Sequence, residues 1–287
     1  MNWKKWLGAI VLIAVLGFIG FSIWNSSQDE QSPTVRTAEV VEDSVTEVVV
    51  SNGTIAPSET QEVLGQGIVS ELNVAIGDTV EEEDTLLTYL DGTAYTANFN
   101  GTITEVNVSE EEPDNNAQQG QASIVLADLN NLEVMIQLSR SDANLVEIDQ
   151  PVLLTYSNEE YQGTVSQINP VATQEQSQVG STTSLGAVVT FDDQPEGLIA
   201  GFEIDADITV ASADQALIVP IEALNYDENN QSYVYTVVDQ TAQRVEIETG
   251  IQSNTTIEVT NGLSEGDQVI LSPGDDVTQD TQVELED

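Results

Sequence analysis

The chain has 287 residues, with 5 Lys+Arg, 50 Asp+Glu, no His and no Cys, for a formal net charge of −45. This set excludes Ser-His and Cys-His nucleophiles, zinc or haem ligation by His and Cys, and any disulfide. It also argues against nucleic acid as a partner, because backbone phosphates need Lys and Arg that this chain lacks. Total charge is only 19%, so the surface is a polar one whose ions are nearly all carboxylates. Such a surface fits a salty or alkaline exterior; a cation-binding surface is the sharper alternative.

In chain order, residues 1–24 come first, with Lys4 and Lys5 and no acid. No lysine follows them, which excludes a Ser-Lys dyad in the rest of the chain. In residues 6–24 Ser22 is the only plainly polar side chain. As a helix this stretch spans about 28 Å at about 1.5 Å per residue, close to a bilayer's hydrocarbon thickness. Trp6 and Trp24 stand at its two ends, where interfacial aromatics belong. The expectation is a single-pass anchor with Lys4 and Lys5 holding the N-terminus inside and the remainder outside. A cleaved signal peptide is the rival reading; the apolar core is too long for it and lacks a small-x-small site. Residues 25–37 are polar and read as a tether.

From residue 38 the pattern is short alternating runs broken by Gly, Asn and Asp. Residues 45–50, 68–74, 102–108, 132–138, 152–156, 187–191, 204–210, 233–238 and 244–248 are rich in Val, Ile, Thr and Tyr. They predict strands, and one short helix is expected within 139–148. The fold class expected is mainly β.

One internal repeat is sharp. Residues 67–74 (GIVSELNV) align with residues 101–108 (GTITEVNV), offset by 34 positions. Each copy continues through a polar turn to an apolar strand ending in Asp. Halves of about 35 residues are too small to bury their own cores and must pack on each other.

The strand pattern, followed by Gly77-Asp78-Thr79-Val80, resembles the lipoyl/biotinyl domain, a flattened sandwich of two symmetric halves. Carriers of that type hold a lysine at the turn between the halves. Here that turn is residues 91–96, which contain no lysine, so a swinging arm is excluded and no cofactor is expected.

A lipoyl domain behind a membrane anchor resembles the membrane fusion proteins, or periplasmic adaptors, of the HlyD type. Residues 124–133 (IVLADLNNLE) are similar to that family's exit into a β-barrel. Residues 197–202 (GLIAGF) resemble the barrel's Gly-Leu-x-x-Gly-Met turn, and residues 217–224 (LIVPIEAL) the strand into the last domain. Residues 262–269 (GLSEGDQV) resemble the C-terminal motif. Asp149 and Glu83 stand where the family has Gly, and each needs a positive φ or a changed turn. The resemblance implies a lipoyl-like domain at 57–130, a β-barrel at 131–220 and a membrane-proximal β domain at 221–287. Residues 38–56 supply strands shared by the last two.

Family members that meet an outer-membrane channel insert a long helical hairpin between the lipoyl halves. Reaching ~100 Å would take roughly 65 residues each way, and only six are present here. The expectation is therefore no outer-membrane channel, a cell with one membrane, and an ectodomain on its outer face. The resemblance implies a non-catalytic subunit, without metal or cofactor, in a ring of about six copies. Its expected partners are the permease and ATPase of an ABC transporter of the macrolide-exporter type. An adaptor of a proton-driven pump and an extracellular cation- or surface-binding β protein are the alternatives. An enzyme could draw only on carboxylate pairs.

The resemblance points to the loop at 109–121 as a pore loop, with Gln118 and Gln119 as its polar gate. Glu110, Glu111 and Glu112 could line the same pore; a solvated loop is the plainer reading of all five. Gly67, Gly77, Gly101, Gly201 and Gly266 are expected at structural turns. Asp227 to Gln231 hint at a Ca²⁺ loop. However, Ser232 and Val238 stand where that motif needs Gly and Glu, so a hairpin turn is the expectation.

Overall fold

The computed structural model describes residues 32–177 and 180–286. The expected anchor, with Lys4, Lys5, Trp6 and Trp24, lies outside them. Among the described residues no helix is long and apolar enough to cross a membrane. The chain divides into a central unit, Thr46–Ser212, and a terminal unit whose described part is residues 32–45 and 213–286.

The central unit begins with the sandwich. One four-stranded sheet has the order Thr60–Val63, Ile124–Ala127, Gly101–Val106, Thr79–Val80. The other runs Ala94–Thr96, Thr85–Tyr89, Gly67–Leu72, Pro113–Asp114. The repeat explains this layout. The two repeat strands, Gly67–Leu72 and Gly101–Val106, lie in different sheets, and each pairs with the apolar strand that follows it. Each half also sends a two-residue strand across to the other. Thr79–Val80 pairs with Gly101–Val106, and Pro113–Asp114 pairs with Gly67–Leu72. The halves are thus interlocked, and Val69, Leu86, Leu87, Ile103, Ile124 and Leu126 form one buried core between the sheets.

The barrel follows from six strands. Pro151–Tyr156, Glu159–Ile168, Gly180–Phe191, Leu132–Leu138, Val41–Pro57 and Glu203–Pro220 are neighbours in that order. The last returns to pair with the first, Val152 opposite Ile208 and Leu154 opposite Ala206, so the sheet closes. The period-2 pattern decides the interior: Val134, Ile136 and Leu138 are buried, while Met135 and Gln137 between them are exposed.

In the terminal unit, Thr34–Glu39 pairs with Gln268–Leu271 and Glu284–Leu285, and Ser232–Val238 lies on the other side of Gln268–Leu271. Val40, Val219, Val234, Ile257 and Val269 form its main core.

Three expectations need correction. The tether does not reach residue 37, since the strand Thr34–Glu39 already begins at Thr34, with Val35 buried. Residues 213–220 pack with the terminal unit rather than the barrel. The helix within 139–148 is only a 3-10 turn, Asp142–Asn144. Ser139 Oγ donates to Asp142 Oδ2 at 2.5 Å, and Asp149 at φ +71° followed by Pro151 stops the helix from extending.

Asp149 and Glu83 adopt φ of +71° and +74°. Glu83 is exposed, and its N–H donates to the Ala97 carbonyl at 2.8 Å, which holds the turn. A residue with Cβ is strained there by about 1–2 kcal/mol. Replacing Glu83 with Gly removes that strain at an entropic cost of about half as much. E83G is expected to raise stability by about 0.5–1 kcal/mol in urea unfolding, and an unchanged midpoint would remove the strain argument.

Candidate functional site

The loop at 109–121 is divided by the strand Pro113–Asp114. On one side the three glutamates are stitched to the edge of Gly67–Leu72. Glu111 N–H donates to the Val69 carbonyl at 2.8 Å, and Val69 N–H returns a bond to the Glu112 carbonyl at 3.1 Å. Leu72 N–H donates to Glu110 Oε1 at 3.1 Å. The turn is tight enough to put Glu111 at φ +63°. On the other side Gln118 and Gln119 sit exposed on the 3-10 turn Asn116–Gln119, closed by Gly120 at φ +72°. The structure therefore separates the glutamates from the glutamines. The first group is fixed at a strand edge, and the second stands on its own turn.

Between them is a buried polar cluster that the motif reading passes over. Asp114 is 3% exposed. Its Oδ2 accepts from the Tyr89 hydroxyl and the Ser123 hydroxyl, each at 2.5 Å, and its Oδ1 accepts from the Asn116 N–H at 2.9 Å. Burial, and then the Asp114 carboxylate, push the Tyr89 hydroxyl above its ordinary pKa. Gly65 leaves the space that hydroxyl needs: a Cβ there would lie 1.9 Å from it. Asp114 thus ties the start of the Asn116–Gln119 turn to the sandwich core. A signal for it exists in the sequence. Carrying the 34-residue offset past the aligned strands sets Asp114 opposite Val80, which is buried in the first half.

The turn between the halves is compact. Tyr89 N–H donates to the Thr93 carbonyl at 2.8 Å, and Asp91 Oδ1 accepts from Thr93 N–H at 2.9 Å. That bond holds the Asp91 carboxyl below its usual pKa. No side chain of this turn carries an amine. Of the expected turn glycines, Gly67, Gly77, Gly201 and Gly266 have positive φ. Gly101 does not; it opens a strand, and a Cβ there would press on the Ala127 carbonyl at 2.8 Å.

The Asp227 to Gln231 segment forms a hairpin turn. Asp227 Oδ1 accepts from the N–H groups of Asn229 and Gln231 at 2.8 and 2.9 Å, and Oδ2 accepts from Arg244 at 3.1 Å. Its carboxylate is therefore occupied by the protein itself. The Gln231 N–H, then the Asn229 N–H and Arg244, hold its pKa below the ordinary value. The stabilisation is present above the unfolded pKa of about 4 and is lost as pH falls through the lower folded value. D227N is expected to unfold at a lower temperature than the parent at pH 7. The gap should shrink as pH falls below the unfolded carboxyl's range and close once the lowered folded carboxyl is protonated too; a gap independent of pH would refute this account. Among the described residues no group of three or more acids is placed to hold a metal ion.

Residues 216–285 match the profile of the YknX C-terminal permuted SH3-like domain. YknX of Bacillus subtilis (strain 168), named as an efflux system component, is 30% identical over 188 residues, covering 63% of this chain and 49% of that protein. The macrolide export protein MacA of Yersinia pestis is 24% identical over 189 residues, 64% of this chain and 50% of that one. The chain thus spans about half the length of the curated relatives it matches. The crystal structure of MacA from Actinobacillus actinomycetemcomitans superposes with a TM-score of 0.70 at 19% identity, over 82% of this chain and 99% of that one.

The chain is similar to membrane fusion proteins, the periplasmic adaptors of efflux systems.

In this chain the two-sheet sandwich and the closed barrel precede residues 216–285, which match the permuted SH3-like domain. A MacA-MexA chimera containing the Pseudomonas aeruginosa MexA α-hairpin domain shares the fold, with a TM-score of 0.65 at 19% identity. Between the two halves of the sandwich this chain has the turn at 91–96.

Proposed function

We propose that this chain is a non-catalytic adaptor subunit of a membrane export complex. It is anchored by residues 6–24 with its β domains outside the cell, and several copies form a ring on the permease of an ABC transporter of the macrolide-exporter type. The ring is a vestibule that receives cargo, with Gln118 and Gln119 facing its axis, and it favours the pump conformation that it binds best. The terminal unit docks on the permease.

One observation carries this reading. The terminal unit matches the YknX domain, and it follows a lipoyl-like sandwich whose halves are joined by a short turn instead of a long hairpin. Such a chain has the adaptor's domains without a device for crossing a second compartment. The test is a mild-detergent pulldown of the tagged full-length chain with native mass measurement. A complex of several copies with a permease and an ATPase is expected. A lone monomer without a membrane partner would end the adaptor reading.

A further inference from the structure

The cations of this protein are few enough to follow one by one. Beyond Lys5 there are three, Arg36, Arg140 and Arg244. Arg36 donates to Glu222 at 3.0 Å and Arg244 to Asp227 at 3.1 Å, with the Arg244 guanidinium also 4.0 Å from the centre of the Tyr233 ring. Both belong to the terminal unit. Arg140 is the sole cation of the central unit, and it is exposed. Among the described residues no carboxylate pairs with it, although the chain carries 50 Asp+Glu. The acid nearest in sequence, Asp142, instead accepts from the Ser139 hydroxyl at 2.5 Å.

Arg140 stands at the rim of a groove of about 650 Å³. Ala143 and Leu185, which pack on the barrel core, give it an apolar floor. Asn144, Thr183 and Ser184 give it a polar rim. An apolar floor lowers the dielectric around a guanidinium and strengthens its pairing with a carboxylate.

We propose that Arg140 and this groove receive a carboxylate-bearing segment of a second copy of this chain. Two copies that each carry a net charge of −45 repel, and contact between them needs a point where the sign reverses. Arg140 is the free point in the central unit, and every copy brings carboxylates for the next. A groove on one face and an acid on another make a head-to-tail contact, which closes into a ring when the rotation allows. The inference rests on the ring reading above and names the contact that builds it.

The scarcity of amines makes the test specific. R140K introduces the first side-chain amine beyond Lys5. A zero-length carbodiimide cross-linker joins only an amine to a touching carboxylate. Full-length R140K in detergent should yield covalent dimers joined from position 140 to an Asp or Glu of another copy, while the parent yields none from its ectodomain. In native mass measurements R140E should lose the assembly at least tenfold in midpoint concentration. Cross-links that stay within one copy, or an R140E assembly equal to the parent's, would overturn the proposal. Linkage from position 140 only to a pump subunit would overturn the choice of occupant. A parent that is monomeric, alone or with the pump, would instead overturn the ring reading itself.

Discussion

Gly262→Ala is expected to cost about 3 kcal/mol, the largest loss from adding a single methyl group in the terminal unit. Gly262 adopts φ +110°, and a Cβ there would lie 2.5 Å from the Glu246 carbonyl oxygen and 3.1 Å from Ile247 Cα. Both obstacles are backbone. They cannot step aside as a flexible side chain would, because Ile247 is 2% exposed in the core and its N–H donates to the Ser232 carbonyl at 3.1 Å. The φ strain contributes about 1–2 kcal/mol and the forced displacement a similar amount. Gly266 in the same motif is the control. Its φ is +88°, but a Cβ there meets only Glu39 Oε1 at 3.9 Å, so G266A should show the strain alone. Hydrogen exchange over residues 232–271 would read both. If G262A and G266A lose protection equally, the close approach to Glu246 has no energetic weight.

The second large effect is expected at Asp114. D114A strips one carboxylate from two buried hydroxyls and a backbone N–H. Hydrogen bonds to a charged group are worth about 1.5–3 kcal/mol each, and buried groups left without a partner add a penalty of their own. The expected loss is about 3 kcal/mol in sandwich stability, against about 1 kcal/mol for Y89F, which leaves Asp114 with two donors. The double variant should lose less than the sum, because Y89F removes one of the groups that D114A orphans. The triple variant D114V, Y89F, S123A offers a sharper test. It restores on this side the Val80 arrangement of the first half and should recover much of the loss. A triple variant as unstable as D114A would show that the cluster is needed for more than mutual satisfaction. D114A should also deprotect amides 116–121, since Asn116 N–H loses its acceptor at the start of the glutamine turn.

These two sites also show how far the sequence can be read. The strands were legible because one face is buried. Val134, Ile136 and Leu138 alternate with exposed neighbours, and that period is written directly in the residues. The lipoyl resemblance was legible because two strands repeat at a fixed offset. The crossing of the two-residue strands was not, since Thr79–Val80 and Pro113–Asp114 are too short to carry a period. Position 114 was hidden for another reason. It follows three glutamates and looks like the end of a solvated acidic run; only pairing with Gly67 buries it. The strand at Thr34 was obscured by the polar stretch before it, and the helix within 139–148 by local propensity that Ser139, Asp149 and Pro151 override. The pore-loop residues were placed by resemblance, and nothing in their own composition distinguishes Gln118 and Gln119 from other surface amides.

The turn at 91–96 has a consequence for how such proteins acquire length. Its second half is already a strand, with Ala94 opposite Thr88, and residues 89–93 are closed by their own hydrogen bonds. Opening it at residues 91–93, between the strands Thr85–Tyr89 and Ala94–Thr96, leaves both sheets intact. Two helices packed about 8–10 Å apart can spring from strand ends of this kind with little adjustment. A longer insertion adds only about 0.6 kcal/mol of closure cost for each doubling. The sandwich can therefore take an insertion at one peptide position without disturbing the strands that pack. Length can thus change at this turn while the body of the sandwich stays the same.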